Sequence, residues 1–264
     1  MNTFLKRRLL PLTVIGLFIF SACSHTTPAP SYSDESSSPE KTNPIPLETT
    51  ETPSPTPAML DGEWNLSDVD ISEIAPSKKL ISFTFDDSPG KTIENIFAVF
   101  ADFNENNPDC KASATIFFNG CRMNEQSRHQ LATAHALDFE LGNHTYSHYD
   151  LTTLSEEVLQ EEIEKVDELL CSVDGKSHHL LRAPFGKTND FVKSRVSVPL
   201  IDWTIDTLDW TGVSEDSIYR TIYENRFSGA IVLLHDGYDN TVQALKRLLP
   251  DLKADGYQVV SVSK

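Results

Sequence analysis

From about Lys78 onward the chain alternates short apolar runs with longer amphipathic stretches, the pattern of strands alternating with helices. Several runs have the length and the β-branched or aromatic enrichment of strands. They are "KLISFTF" up to Asp86, "ASATIFF" up to Asn119, "DFELGN" leading into His144, "HLLRAPFG", "PLIDWTI" before Asp206, "AIVLL" before His235, and the closing "YQVVSVS". Between them, "SEEVLQEEIEKVDELL" places Val158, Leu159, Ile163, Val166, Leu169 and Leu170 on one helical face, with Ser155 as N-cap. "SEDSIYRTIYENRF" and "TVQALKRLLPDLKADG" also predict helices, the second interrupted or ended near Pro250. The chain has no internal repeat. Strands alternating with helices imply a parallel α/β fold, open-sheeted or closed into a barrel.

The N-terminal stretch breaks this pattern. "MNTFLKRRLLPLTVIGLFIFSAC" sets Lys6, Arg7 and Arg8 ahead of an apolar run from Leu9 to Phe20 and a small-residue pair before Cys23, the layout of an export signal. The run is shorter than the ~20 residues a spanning helix needs. "FSAC" looks like a bacterial lipobox, with Phe20 where leucine is usual. Residues 1–22 would then be a lipoprotein signal peptide, and Cys23 a lipid-modified N-terminus held on the extracytoplasmic face of a bacterial cell membrane. Residues 24–60 carry eight of the fifteen prolines and fourteen serines or threonines, a composition that cannot bury a core. Residues 23–60 therefore predict a lipid-anchored tether with a reach on the order of 100 Å. A lead-in segment over 61–77 precedes a folded domain over 78–264.

Composition narrows the partners. The formal charge of −17, from 22 basic against 39 acidic residues, argues against a nucleic-acid partner, which would be gripped by clustered lysines and arginines. Cys110, Cys121 and Cys171 are odd in number and lack a CxxC spacing, which favours structural thiols over a structural zinc or redox site.

Candidate chemistry gathers at one end of the predicted strands. Asp86, His144, Arg182, Asp206 and His235 all fall at or just past a strand's C-terminal end, the face that carries the active site in a parallel barrel. In "TFDDSPG", Asp86 and Asp87 are either a turn pair or two carboxylates with divided labour, one binding a metal while its neighbour acts as base. In "HTYSH", His144 and His148 would share one face of a helical turn and converge on an ion, with Gly142 and Asn143 letting the chain leave its strand sharply. Arg182 follows two leucines at a strand end, where a buried guanidinium would hold an aspartate ionised. "IDTLDW" offers Asp206, Asp209 and Trp210. His235 with a carboxylate partner is a natural general acid.

With "TFDD", "HTYSH", "RAPFG", "DTLDW" and "LLH" in that order, residues 78–264 resemble a polysaccharide deacetylase domain of the NodB-homology type, carbohydrate esterase family 4. The resemblance implies a distorted (β/α) barrel with fewer than eight full repeats. It also implies hydrolysis of N-acetyl groups on an N-acetylated polysaccharide, by a monomer using one divalent metal ion: zinc first, with cobalt, manganese or nickel compatible with the ligands. Carried over residue by residue, Asp87, His144 and His148 would bind the metal and Asp86 would be the base. Arg182 would orient Asp86, and His235 would be the acid. Asp206 or Asp209 would support His235 or Arg182. Tyr146, Phe185, Trp210 and Leu233 would line the substrate pocket, Leu233 and Trp210 against the acetyl methyl, with a backbone N–H near Tyr146 facing the oxyanion. Ser88 stands where many members have glycine, and Tyr149 and Ala183 where proline is common; no reacting group is lost. Export and tethering point to peptidoglycan N-acetylglucosamine as substrate. Chitin oligomers, poly-N-acetylglucosamine and acetylxylan are the alternatives within the chemistry. A glycan-binding protein without turnover and a metal-dependent phosphoesterase are the alternatives outside it.

Overall fold

The computed structural model describes residues 78–264, so the expected signal peptide, the lipidated Cys23, the tether and the lead-in segment lie outside the described residues. The ordered elements begin with β1 (Lys79–Ser88), α1 (Ile93–Asn106), β2 (Thr115–Phe118), α2 (Glu125–Ala136), β3 (Glu140–Asn143) and α3 (Glu156–Asp174). They continue with α4 (Asp190–Arg195), β4 (Ile205–Asp206), α5 (Glu215–Asn225), β5 (Ala230–His235), α6 (Asp239–Ala254) and β6 (Tyr257–Val260). Every strand pair is parallel, in the order β3-β2-β1-β5-β4, with β6 also paired to β1. The α/β expectation therefore holds, and the sheet is an unclosed, distorted barrel.

Two of the expected strands shrink. "HLLRAPFG" contributes one bridging residue, Leu181, which joins Asn143 on one side to Leu200 on the other, and "PLIDWTI" contributes Leu200 and the two-residue β4. The cause is Arg182. Its Nε and Nη2 donate to the carbonyls of Ile201 and Asp202, at 3.1 Å each, so those carbonyls serve the guanidinium and the ladder stops after a single rung.

β1 runs through the middle of the sheet, and its pleat sorts its residues. Ile81, Phe83 and Phe85 are fully buried in the main apolar core with Phe100, Ile116, Leu234, Leu245 and Leu248. Thr84 and Asp86 point to the opposite, interior face. The parallel register sets Thr84 beside Leu233 and Asp86 beside His235, so the same face continues onto β5.

α3 follows its sequence pattern with one exception. The Ser155 side chain caps it by accepting the Val158 N–H, and Leu159, Val166 and Leu170 are buried, whereas Val158 is exposed. The buried face instead includes two acids, Glu162 and Asp167, which have polar work described below. α6 runs through Pro250 to Ala254 without ending there. Proline forfeits one backbone bond and one turn of ideal geometry, but Leu248, Leu249 and Leu252 on either side of it are buried in the core, and that burial outweighs the loss.

Candidate active site

The interior face of β1 and β5 supplies the first two groups. Asp86 is 4% exposed and pairs with Arg182, which is completely buried, at 2.9 Å between Oδ1 and Nη1. Nη1 also donates to Thr84 Oγ1 at 2.6 Å, and Thr84 in turn donates to the Val232 carbonyl. The guanidinium lies 4.4 Å over the Phe117 ring and 5.7 Å from that of Trp203. Burial alone would push the Asp86 carboxyl up; Arg182, helped by His144 and His235, holds it below its ordinary value. Asp86 is thus an ionised carboxylate held by a fully buried cation.

At the end of β5, His235 Nδ1 faces Asp209 Oδ1 at 2.8 Å, and its backbone N–H donates to Asp209 Oδ2 at 2.8 Å. Thr241 Oγ1 donates to the same Oδ2 at 2.7 Å, fixing Asp209 from α6. Burial opposes protonation of His235, but the Asp209 hydrogen bond and charge, followed by Asp86 and Asp87, raise its pKa above the ordinary histidine value. The structure thus selects between the two aspartates of "DTLDW". Asp206 accepts the Leu208 N–H at 2.9 Å in a turn of its own, while Asp209 holds His235.

Asp87, His144 and His148 form the third group. One donor atom from each lies within 4.8 Å of the other two. His148 Nε2 is 3.5 Å and His144 Nε2 is 3.9 Å from Asp87 Oδ1. Metal bonds of about 2.0–2.2 Å at tetrahedral angles need donors about 3.3–3.6 Å apart; the Asp87–His148 pair has that spacing, and contraction of the wider separations by about 1 Å would close the set on one ion. Asp87 Oδ1 is buried without a hydrogen-bond partner, a cost of about 1–3 kcal/mol that a bound cation would remove. His144 Nδ1 contacts the Arg182 carbonyl at 2.8 Å, which sets the tautomer that leaves Nε2 free to ligate. Burial, with the neighbouring His144, holds His148 below the ordinary histidine value against the pull of Asp87, so it offers a neutral ring.

The two histidines do not meet on a helix. Residues 144–148 are irregular, and the rings reach a centroid distance of 4.9 Å because Thr145 (φ 66°) and His148 (φ 58°) are left-handed. Asp87 (64°), Phe185 (60°) and Leu208 (55°) are left-handed too. Such non-glycine residues cost about 1–3 kcal/mol each; of the six among the described residues these five sit at the C-terminal ends of the strands, where the chemistry is, and the sixth, Asp138, precedes β3. Gly142 has a different use from a sharp exit: a Cβ there would come within 2.6 Å of the Phe117 ring, which sits beneath Arg182. Asn143 does turn the chain. Its Oδ1 accepts the Thr145 N–H, and its Nδ2 donates to Ile163 O and Asp167 Oδ1 of α3. Glu162 accepts the Ser147 N–H at 2.6 Å. The two buried acids of α3 thus hold the histidine loop.

The expected pocket residues divide. Leu233 is buried beside Thr84, Trp210 is half-exposed at the rim, and the exposed Phe185 ring stands edge-on to His148 at 4.7 Å. Tyr146 departs from expectation. Its backbone N–H donates to the Glu162 carbonyl at 2.9 Å, so that N–H is not free to face an oxyanion. Its ring packs against Gly120, with the Lys165 ammonium 5.1 Å away, on the α2–α3 side. Two residues at the site escaped sequence reasoning. Arg122 donates to the Asp87 carbonyl at 2.8 Å and lies 3.6 Å from Asp87 Oδ2; Asp236 accepts from Ser88, Gly90 and Thr92. The second had a visible signal, an acid directly following His235 in "LLHDG"; the first had none. Cys110 and Cys171 are free thiols.

Comparison with known proteins agrees with this geometry. The polysaccharide deacetylase family model matches residues 73–197. A peptidoglycan-N-acetylglucosamine deacetylase of Bacillus cereus is 32% identical over 209 residues, spanning 73% of this chain and 90% of that protein. The peptidoglycan-N-acetylmuramic acid deacetylase PdaC of Bacillus subtilis is 28% identical, across 72% of this chain but only 39% of its own length. The solved structure of PdaC superimposes with a TM-score of 0.65 at 28% identity, covering 72% of this chain and 91% of that one. This chain belongs to the polysaccharide deacetylases of carbohydrate esterase family 4, a metal-dependent family of hydrolases.

Proposed function

We propose that this deacetylase removes the acetyl group from N-acetylglucosamine of peptidoglycan, working from the outer face of a bacterial membrane to which Cys23 anchors it. The observation that carries the catalytic reading is the register of β1 and β5. It sets Asp86 and His235 side by side on one face, next to the Asp87, His144 and His148 cluster. Support for the substrate comes from the name of the Bacillus cereus relative and from the export signal and tether in residues 1–60.

Asp87, His144 and His148 would hold one divalent ion, zinc by preference. Such an ion polarises an amide carbonyl and lowers the pKa of water. Asp86, kept ionised by Arg182, takes a proton from the attacking water. His235, whose pKa Asp209 raises, gives its proton to the sugar nitrogen as the C–N bond breaks. Acetate and a free amine result. Leu233 and Trp210 supply apolar surface for the acetyl methyl, which a hydroxyl-bearing group would not favour.

Acetate release from purified peptidoglycan, chitooligosaccharides and acetylxylan tests this reading, with the peptidoglycan product analysed for glucosamine and muramic acid. Glucosamine is the expected product. Acetate from the other glycans but never from peptidoglycan would overturn the substrate, and muramic acid as sole product would overturn the sugar.

A further inference from the structure

The carboxylate of Asp236 lies one residue beyond the proposed acid and is 3% exposed. Four donors converge on it. Thr92 donates from its N–H at 3.0 Å and its Oγ1 at 2.8 Å to Oδ1, while Ser88 Oγ at 3.2 Å and the Gly90 N–H bond to Oδ2. All four belong to residues 88–92, the last residue of β1 and the four-residue turn that leads into α1. The backbone adds two further ties, from the Asp236 N–H to the Asp86 carbonyl at 3.0 Å and from the Gly237 N–H to Thr92 Oγ1 at 2.7 Å.

A carboxylate with its acceptor positions filled in this way is an expensive object to bury unless each donor stays in place. The turn is correspondingly constrained. A Cβ on Gly90 would stand 2.8 to 3.0 Å from the three carboxyl atoms of Asp236, so this position is kept bare for the contact. Asp87 needs such a restraint: it is left-handed, and its Oδ1 is buried without a partner. A left-handed residue whose donor atom has no protein partner keeps its aim only if the chain on both sides is fixed. On one side β1 is laddered to β5 through Asp86; on the other, the Asn119 N–H holds the Ser88 carbonyl at 2.7 Å, and Asp236 holds the Ser88 side chain and the residues from Gly90 to Thr92.

We infer that Asp236 is a positioning residue, which locks the turn after β1 to the end of β5 and thereby fixes Asp87 as a metal ligand and Asp86 beside His235. The inference rests on the roles proposed above for those three residues. It does not depend on which glycan is cleaved.

The test uses the full-length protein and its Asp236→Asn variant. Zinc dissociation constants come from competition with a chromophoric chelator, kcat and KM from acetate release, and folding from urea denaturation. Partners that orient metal ligands commonly contribute about 10–100-fold in metal affinity or activity. The folded Asp236→Asn variant is expected to bind zinc at least about tenfold more weakly, with kcat falling and KM little changed. Gly90→Ala, which presses a methyl onto the same carboxylate, is expected to act in the same direction. Unchanged zinc affinity in either folded variant, with only the urea midpoint lowered, would reduce Asp236 to a structural residue and overturn the inference. Should Asp236→Asn fail to fold, Thr92→Val, which deletes one hydroxyl donor, takes its place: a few-fold loss of zinc affinity supports the clamp, and none rejects it. Because zinc binding is measured without glycan, a wild-type protein inactive on peptidoglycan would refute the substrate and leave this comparison intact.

Discussion

The two faces of β1 differ in nearly every physical respect. On the helix-covered face, Ile81, Phe83 and Phe85 are fully buried among other apolar side chains. On the interior face, Thr84 and Asp86 are just as buried, but they are held by directed hydrogen bonds with Arg182 at the centre. The apolar face gains its stability from area removed from water, which is insensitive to small shifts. The interior face balances desolvation against directed bonds, so the loss of one partner leaves a charge exposed to a low-dielectric surrounding. One strand therefore separates stability from chemistry by residue parity, and substitutions on the two faces should separate them as well.

The largest effect is expected at the exit of the interior face. Asp87→Ala removes the carboxylate whose unpartnered oxygen completes the metal set, and both zinc binding and acetate release should be lost. Equilibrium dialysis against zinc measures the first and acetate assay the second. A variant that keeps stoichiometric zinc would remove Asp87 from the ligand set.

His235→Ala comes next. The β5 end makes no contribution to the metal set, so zinc content should match the wild type. The loss of a general acid should lower kcat by about 10²–10⁴. Zinc loss in this variant would break the division between the two strand ends, because it would put His235 in the metal site rather than across from it.

How far these roles were legible in the sequence depends on whether local pattern or distant contact decides them. The apolar alternation of "KLISFTF" and the stripe of α3 are local, and the structure follows them. The helical turn expected of "HTYSH" does not form, because the convergence of its histidines depends on two left-handed residues held by Asn143, Glu162 and Asp167 from elsewhere. The choice between Asp206 and Asp209 was open for the same reason: Thr241, 32 residues further along the chain, fixes Asp209. The shortened strands around Leu181 and Leu200 follow from a guanidinium that occupies backbone carbonyls, a competition no propensity encodes. Tyr146 was misplaced because its side chain turns to fill the gap over Gly120. In each case a contact with a residue distant in the chain decided the outcome.

Asp209→Asn should act more gently, and chiefly on pH dependence. His235 must be protonated to act as an acid, so turnover falls as pH rises through its pKa. Asp209 raises that pKa, so its neutral amide replacement should move the alkaline limb of the kcat profile to lower pH, with modest change at the acid side. A limb that stays in place would mean that another group controls it.

The smallest effect on turnover is expected from the opposite face. Phe83 is fully buried two residues before Phe85, and Phe83→Ala should cost about 3–5 kcal/mol in urea denaturation by leaving a cavity between sheet and helices. Its ring takes no part in the hydrogen-bonded network of Thr84, Asp86 and Arg182, so kcat per folded molecule and zinc affinity should remain near wild type. If kcat instead fell in proportion to stability, the backbone of β1 would be transmitting the cavity across the pleat. The interior face would then depend on the packing behind it as much as on its own polar bonds.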